Sequence, residues 1–452
     1  MLTRRQFLSG AAAPLAAQTR RRNLVFILVD DLRWDALGAT GHPFSKTPHI
    51  DRLATEGALF TNAFVTTPLC SPSRSSFLTG RYVHATGVTT NGDNAALSHR
   101  LITFPRLLQE SGYETAYVGK WHMGTDDSPR PGFDRWVSFR GQGQFEDPEI
   151  NVDGRSSQVK GYMTEILSSH AVDFVRRRRS KPFCLYLAHK AVHGPFTPAA
   201  RYARDYAGQT IRRAPSATDD YRGKPALARP VDAAGGDKNK KKKKGSALPS
   251  GDELILNQLR CLRSIDDGVG EILAALSETG QLDNTLIVFT SDNGYFWGEH
   301  RLGDKRWAYE ESIRIPMLAR LPGVIRPGMR ISQLVLNIDI APSMLEVAGV
   351  KPPATMHGRS FLPLLRGRTA SWRDDFLAEY FQEKGNPRTP TWQAVRTSKW
   401  KYIHYPELPG MDELYDLAAD PNEMNNLISD PKSAGALAVL RRRLGELLKQ
   451  TA

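Results

Sequence analysis

Cysteine is scarce in this chain: Cys70, Cys184 and Cys261 are the only three in 452 residues. Three thiols so widely scattered exclude a disulfide framework. Cys184 stands in an apolar run and Cys261 in a stretch of helical periodicity, so both read as core. No apolar run is long enough to span a bilayer, which excludes stable membrane insertion, and 40% hydrophobic residues fit a soluble globular protein. Acidic residues are missing from two stretches. Positions 1–22 hold five arginines and no acid, while Lys238 and the run Lys240 to Lys244 give six lysines and no acid. These eleven charges account for most of the net +13 and leave the body near neutral, so basicity does not point to a polyanion partner. No motif favours nucleic acid.

The chain is too long for one simple core, and a large domain with a smaller appendage is expected. The boundaries fall at 23–365 for the main domain and 366–452 for a C-terminal subdomain. Residues 199–250 lack periodicity and carry the lysine run, so they read as an exposed, partly disordered insertion. Arg4-Arg5 precedes Phe7-Leu8 and a mildly apolar stretch to Ala17. This resembles a twin-arginine export signal, which implies the export machinery as a partner and a periplasmic or secreted mature protein.

Apolar runs of strand length occur at 24–29, 115–118, 183–188 and 286–290, and each ends in a polar cluster. Helical periodicity lies between them, over 47–56, 103–111, 162–178 and 253–279. The alternation predicts an α/β fold with a large, mostly parallel sheet flanked by helices. Ligands of such sheets bind beyond the carboxyl ends of the strands. Residues 125–160 are rich in proline and glycine and read as surface loop. After 366 the pattern changes to short strands at 392–396, 400–404 and 414–417 and a final helix, predicting a small antiparallel α+β subdomain.

Cys70-Ser71-Pro72-Ser73-Arg74 opens a short helix, with Pro72 suited to its first position and Gly80 to its stop. The positive end of the helix favours a thiolate at Cys70 and a bound anion, and Arg74 adds a fork for an oxyanion. At the ends of the first and last apolar strands stand Asp30, Asp31, Asp292 and Asn293, hard oxygen donors that suit calcium. Lys120 and His122 stand two apart at a strand end, and the two-residue period of a strand points them to the same side.

The string from Cys70 through Leu78-Thr79-Gly80-Arg81 resembles the type I sulfatase signature without a gap. That resemblance implies an alkaline-phosphatase-like fold, hydrolysis of sulfate esters, and oxidation of Cys70 to formylglycine by a formylglycine-generating enzyme. It implies one calcium ion held by Asp30, Asp31, Asp292, Asn293 and the modified residue 70. Lys120 is matched to a sulfate contact and His122 to the base that deprotonates the hydrated aldehyde. His193 is matched to the acid at the leaving oxygen and Lys305 to a contact with the bridging oxygen, while His189 has no matching role.

The strings around His189 to His193 and Gly298 to His300 look most like N-acetylglucosamine-6-sulfatases and mucin-desulfating enzymes. They imply a sulfated carbohydrate substrate such as 6-O-sulfated N-acetylglucosamine. Loops at the strand ends and His404, Tyr405 and Glu407 of the appendage are candidates for sugar contacts. Two alternatives stand: a formylglycine-dependent phosphonate or phosphodiester hydrolase, and a non-catalytic glycan-binding homologue.

Overall fold

A computed structural model describes residues 21–230 and 251–452. The export-signal stretch and the lysine run lie outside the described residues. The first strand, β1 (Asn23–Val29), shows how the sequence builds the core, because its successive side chains point to opposite faces. Val25, Ile27 and Val29 enter one apolar layer, and Leu24, Phe26 and Leu28 the other. Both layers are apolar and buried, so the strand reads as one continuous apolar run.

The main sheet also contains β2 (Ala58–Phe64), β3 (Glu114–Gly119), β4 (Arg135–Ser138), β5 (Glu149–Val152), β6 (Arg155–Gln158), β7 (Phe183–Ala188) and β8 (Thr285–Ser291). A two-stranded ribbon follows, β9 (Phe296–Trp297) with β10 (Gly303–Asp304), before β11 (Arg314–Arg320), β12 (Met329–Ile331) and β13 (Val335–Leu336) complete the sheet. The order is β12-β2-β11-β8-β1-β7-β3-β4-β5-β6, with β13 also on β2. The four neighbours β8, β1, β7 and β3 all run parallel, so their carboxyl ends open side by side. Helices Met163–Arg176 and Gly251–Glu278 cover one face, and Cys70–Thr79, Phe104–Glu110 and Ile340–Val347 the other. The predicted mostly parallel α/β architecture is the observed one.

Several local expectations change. Residues 125–160 supply β4, β5 and β6 and extend the sheet, because Trp136, Val137 and Ile150 bury despite the flanking prolines and glycines. Within the described part of the insertion, 199–230, most residues are exposed or half-buried, but Ser216, Asp219, Lys224, Ala226 and Leu227 are buried. Strands β2 and β11 escaped the sequence reading because neither carries an uninterrupted apolar run. Both are antiparallel neighbours in the sheet, with β11 between β2 and β8.

The C-terminal subdomain is a four-stranded antiparallel sheet, β14 (Asp375–Tyr380), β15 (Trp392–Thr397), β16 (Trp400–His404) and β17 (Glu413–Asp416), with the helix Ala434–Thr451. Strand β14 adds to the three expected. Its apolar side chains share a core with Phe64, Leu69 and Tyr309 of the main domain, which fastens the two sheets together.

Candidate active site

Four neighbouring strands deliver the candidate residues to one place. Asp30 and Asp31 follow β1, Lys120 follows β3, His193 lies five residues past β7, and Asp292 and Asn293 follow β8. Cys70 comes from across them, as the first residue of helix Cys70–Thr79. The helix thus begins two residues earlier than Pro72 suggests. It ends as expected at Gly80, whose φ of 68° is left-handed.

Carboxylate oxygens of Asp30, Asp31 and Asp292 all lie within 4.8 Å of one another, and a ligand atom each from Asp30, Cys70 and His193 does likewise. The three aspartates are at most 2% exposed. Burial and the nearby Asp30 charge push the Asp292 carboxyl up to about 6. Burial works the same way on Asp30, but Lys120, His193 and Arg74 outweigh it and hold its carboxyl well below the usual range. Asn293 donates its amide to Asp31 at 2.6 Å, and its Oδ1 is buried with no hydrogen-bond partner among the described residues. Three converging carboxylates and an orphaned amide oxygen form a hard donor set of the kind a calcium ion takes. The residues therefore fit the metal.

Arg74 does not offer a free fork. Its Nε donates to Asp292 at 2.9 Å, Nη2 to Asp30 at 3.2 Å, and Nη1 to the Lys120 carbonyl at 2.6 Å. Protein groups therefore engage all three nitrogens, and the side chain clamps two carboxylates against the Lys120 turn. Lys120 itself contacts Asp30, and Lys305 contacts Asp31. Both lysines are buried.

Cys70 is fully buried, with Sγ 3.6 Å from Asp30 and 4.0 Å from Lys120. Burial and then the Asp30 charge push its thiol up to about 12. The expected thiolate is not favoured, because one helix end does not offset a desolvated position beside a carboxylate. Burial and Asp30 therefore keep this thiol protonated and a poor nucleophile.

Lys120 and His122 also meet differently from the expectation. Strand β3 stops at Gly119, whose φ is 122° and where a Cβ would lie 1.8 Å from the Ala188 carbonyl oxygen. That oxygen accepts the Lys120 N–H at 2.8 Å. His122 has left-handed backbone, φ 61°, so a turn rather than strand alternation brings it toward Ser71. Its Nδ1 lies 3.5 Å from Ser71 Oγ and its Nε2 3.0 Å from Gln142 Nε2. Burial and then Lys120 hold it neutral, well below the ordinary histidine range. His193 places Nε2 3.8 Å from Asp31 and Nδ1 3.0 Å from the Gly194 carbonyl, and burial pushes it down to about 4.

Sequence reasoning missed Gln142, a polar residue between glycines with no motif to single it out. It also missed a brace from the C-terminal subdomain: Asn91 accepts the Ser71 N–H at 3.0 Å, and Glu383 accepts the Asn91 N–H at 3.1 Å. Arg306 holds the other Glu383 oxygen at 2.7 Å. Of the suggested sugar contacts, Tyr405 turns into the subdomain core, with its hydroxyl on Glu413 at 3.1 Å. His404 pairs with Asp412 at 3.0 Å, and Glu407 is exposed.

Comparison with known proteins decides what this arrangement is. The Sulfatase family model matches residues 22–350, and the N-sulphoglucosamine sulphohydrolase C-terminal model matches 298–450. The chain belongs to the sulfatase family. This sulfatase is 32% identical to N-acetylglucosamine-6-O-sulfatase of Bacteroides thetaiotaomicron, a match that covers 98% of the chain and 89% of that relative. It is 31% identical to human N-acetylglucosamine-6-sulfatase, across 94% and 84% of the two proteins. The structure of BT4656 in complex with its substrate D-glucosamine-2-N,6-O-disulfate superposes with a TM-score of 0.86 at 32% identity, over 96% of this chain and 98% of the other. The sulfatase is accordingly a sulfuric ester hydrolase rather than a binding module. Among its described residues, no helix is long and apolar enough to cross a membrane.

Proposed function

We propose that this sulfatase removes the 6-O-sulfate from N-acetylglucosamine-type residues of sulfated glycans, using calcium and a formylglycine formed from Cys70. The reading is carried by the convergence of Asp30, Asp31, Asp292 and Cys70 with Lys120, His193 and Lys305 at the open ends of four strands. The named activities and the bound sugar of the relatives support the choice of substrate.

Asp30, Asp31, Asp292 and Asn293 would hold the calcium. The ion would supply positive charge for the sulfate oxygens, and formylglycine formed from Cys70 would supply the nucleophile as its hydrate. Arg74 fixes the carboxylates through its bonds to Asp30 and Asp292. Lys120 and Lys305 place positive charge where the ester is negative. His122, held neutral and set between Ser71 and Gln142, accepts a proton at the nucleophile side. His193 delivers a proton from Nε2 to the departing sugar oxygen as the S–O bond breaks, because its Nδ1 is committed to the Gly194 carbonyl. The negative charge of a bound ester favours the imidazolium that this step requires.

A formylglycine-generating enzyme is the partner that this chemistry requires. The Arg4-Arg5 stretch supports delivery of the folded enzyme to the periplasm or outside the cell by twin-arginine export machinery. The test compares kcat/KM of the mature enzyme on 6-O-sulfated N-acetylglucosamine, a 2-O-sulfated uronic acid, 4-nitrophenyl sulfate and a phosphodiester. The first is expected to lead despite the better leaving group of the aryl ester, because sugar binding lowers its transition state. A lead for the uronic acid would overturn the sugar assignment, and a lead for the phosphodiester would overturn the choice of anion.

A further inference from the structure

Lys190 is 1% exposed and, among the described residues, has no carboxylate partner. A buried lysine is ordinarily paired, so an ammonium placed here without an ion pair needs an account. Its Nζ donates to the Gly194 carbonyl at 3.1 Å and lies 4.6 Å from the centre of the Phe145 ring. The same carbonyl is 3.0 Å from His193 Nδ1. A carbonyl oxygen only accepts, so His193 must carry hydrogen on Nδ1, and Nε2 is then the nitrogen that faces Asp31. Two donors thus share the two lone pairs of one oxygen.

The loop that carries His193 is fastened unevenly. Its first half is tied to β1, with Asp30 N–H on Ala191 O at 3.0 Å and Val192 N–H on Asp30 O at 2.9 Å. The second half has longer internal bonds, His193 N–H on Lys190 O at 3.2 Å and Phe196 N–H on His193 O at 3.4 Å. The Lys190 head bridges the two halves. Phe145, which covers that head, stacks on Tyr162 at 5.7 Å, and the Tyr162 hydroxyl donates to Thr197 O at 2.9 Å. The ammonium is therefore enclosed, and among the described residues its one hydrogen bond is to the carbonyl that orients the imidazole.

We propose that Lys190 is a positioning residue for His193, holding the Gly194 carbonyl so that His193 Nε2 meets the leaving oxygen. This rests on the reading of His193 as the acid for the departing sugar. A proton donor matters most for a poor leaving group, so loss of the brace should penalise a sugar ester and spare an aryl ester. A packing role for the four-carbon stem predicts no such split, since methionine fills the same volume.

The experiment measures kcat and KM for 6-O-sulfated N-acetylglucosamine and for 4-nitrophenyl sulfate on the mature enzyme, Lys190→Met, Lys190→Arg and His193→Gln, with thermal melts to show folding. Lys190→Met is expected to lower kcat on the sugar ester about tenfold or more, with KM within about twofold and aryl turnover within about threefold. Lys190→Arg keeps a cationic donor and is expected to recover part of the sugar-to-aryl ratio. Should Lys190→Met fail to fold, Lys190→Gln is read in the same way. Equal losses on both esters, or no loss on either, overturn the inference. If His193→Gln itself leaves the ratio unchanged, the assignment of His193 as the acid falls and the inference with it. If His193→Gln lowers the ratio and Lys190→Met does not, the inference alone falls.

Discussion

His300 Nδ1 lies 2.6 Å from a carboxylate oxygen of Asp219, and both side chains are buried. Lys224 reaches the same carboxylate at 2.9 Å and also donates to the Met424 carbonyl at 3.0 Å. The bond ties the packed arm at 199–230 to the loop that presents Lys305. That loop is strained: His300, Arg301, Asp304 and Arg306 all have left-handed backbone, at φ 50°, 50°, 67° and 90°. Each such residue costs about 1–3 kcal/mol, so the loop depends on its anchors.

Asp219→Ala should therefore destabilise the enzyme by about 3–5 kcal/mol, since it strands a buried imidazole N–H and a buried ammonium. Asp219→Asn keeps one acceptor and should cost less. Chemical denaturation checks the order, and kcat should fall with Asp219→Ala because Lys305 loses its support. An unchanged unfolding midpoint would show that the arm is not an anchor.

The strands that carry the site were legible for a physical reason. A strand buried on both faces, such as β1 or β8, must be apolar throughout, and its polar end stands out. Strand β2 and the antiparallel β11 did not stand out, because Thr61-Asn62 interrupts one and Arg314 with Pro316 the other. Residue types at the site were visible, but their partners were not. Arg74 looked like a free fork because its carboxylate neighbours come from positions 44 and 218 residues away. The thiol of Cys70 looked activated because local sequence shows the helix end and hides both the burial and Asp30. Asp219 fell in a stretch without periodicity, where a single buried ion pair leaves no pattern.

Removing one metal ligand tests the donor set. Asp292→Ala should take bound calcium from about one ion per chain to none and lower turnover by at least about a thousandfold. Elemental analysis of the purified protein reads the first quantity. Calcium added to stripped wild-type enzyme should raise its melting temperature, by about 2.7 kcal/mol of stability at a hundred times the dissociation constant. A variant that keeps stoichiometric calcium would show the ligand set to be wrong.

Cys70→Ala should fold, because it removes one buried sulfur at a cost of about 1 kcal/mol, and should lose turnover by at least about a thousandfold. Protein made without the maturing enzyme should be equally inactive. Its thiol, pushed up to about 12, would be about one part in a thousand thiolate at pH 9, so alkaline assay should not rescue it. Peptide mass across residue 70 distinguishes thiol from aldehyde. Full activity from an unmodified thiol would end the formylglycine mechanism.

Asp266 offers a pH test away from the reacting groups. It sits in helix Gly251–Glu278, is 1% exposed, and caps a different helix: its Oδ1 accepts the N–H groups of His49 at 2.9 Å and Ile50 at 2.8 Å in Pro48–Thr55. Thr47, at the N-terminal boundary of that helix, spends its hydroxyl on Asp51 at 2.9 Å and does not cap it. Asp266 Oδ2 has no partner among the described residues, and burial pushes the carboxyl up to about 6 from an ordinary 3.8, in spite of the two amides. The folded state then binds more protons than the unfolded state between about pH 4 and pH 6. Stability consequently falls as pH rises through that window, by about 3 kcal/mol from this group, and stays lower above it. Asn at this position keeps the accepting oxygen and cannot ionise. Asp266→Asn should therefore melt above wild type at pH 7.5, by up to about 3 kcal/mol of stability, and level with it near pH 4. Denaturant titrations of both proteins at the two pH values decide the point. An equal difference at both, or a wild type more stable at pH 7.5, would mean that the folded protein does not hold this carboxyl proton.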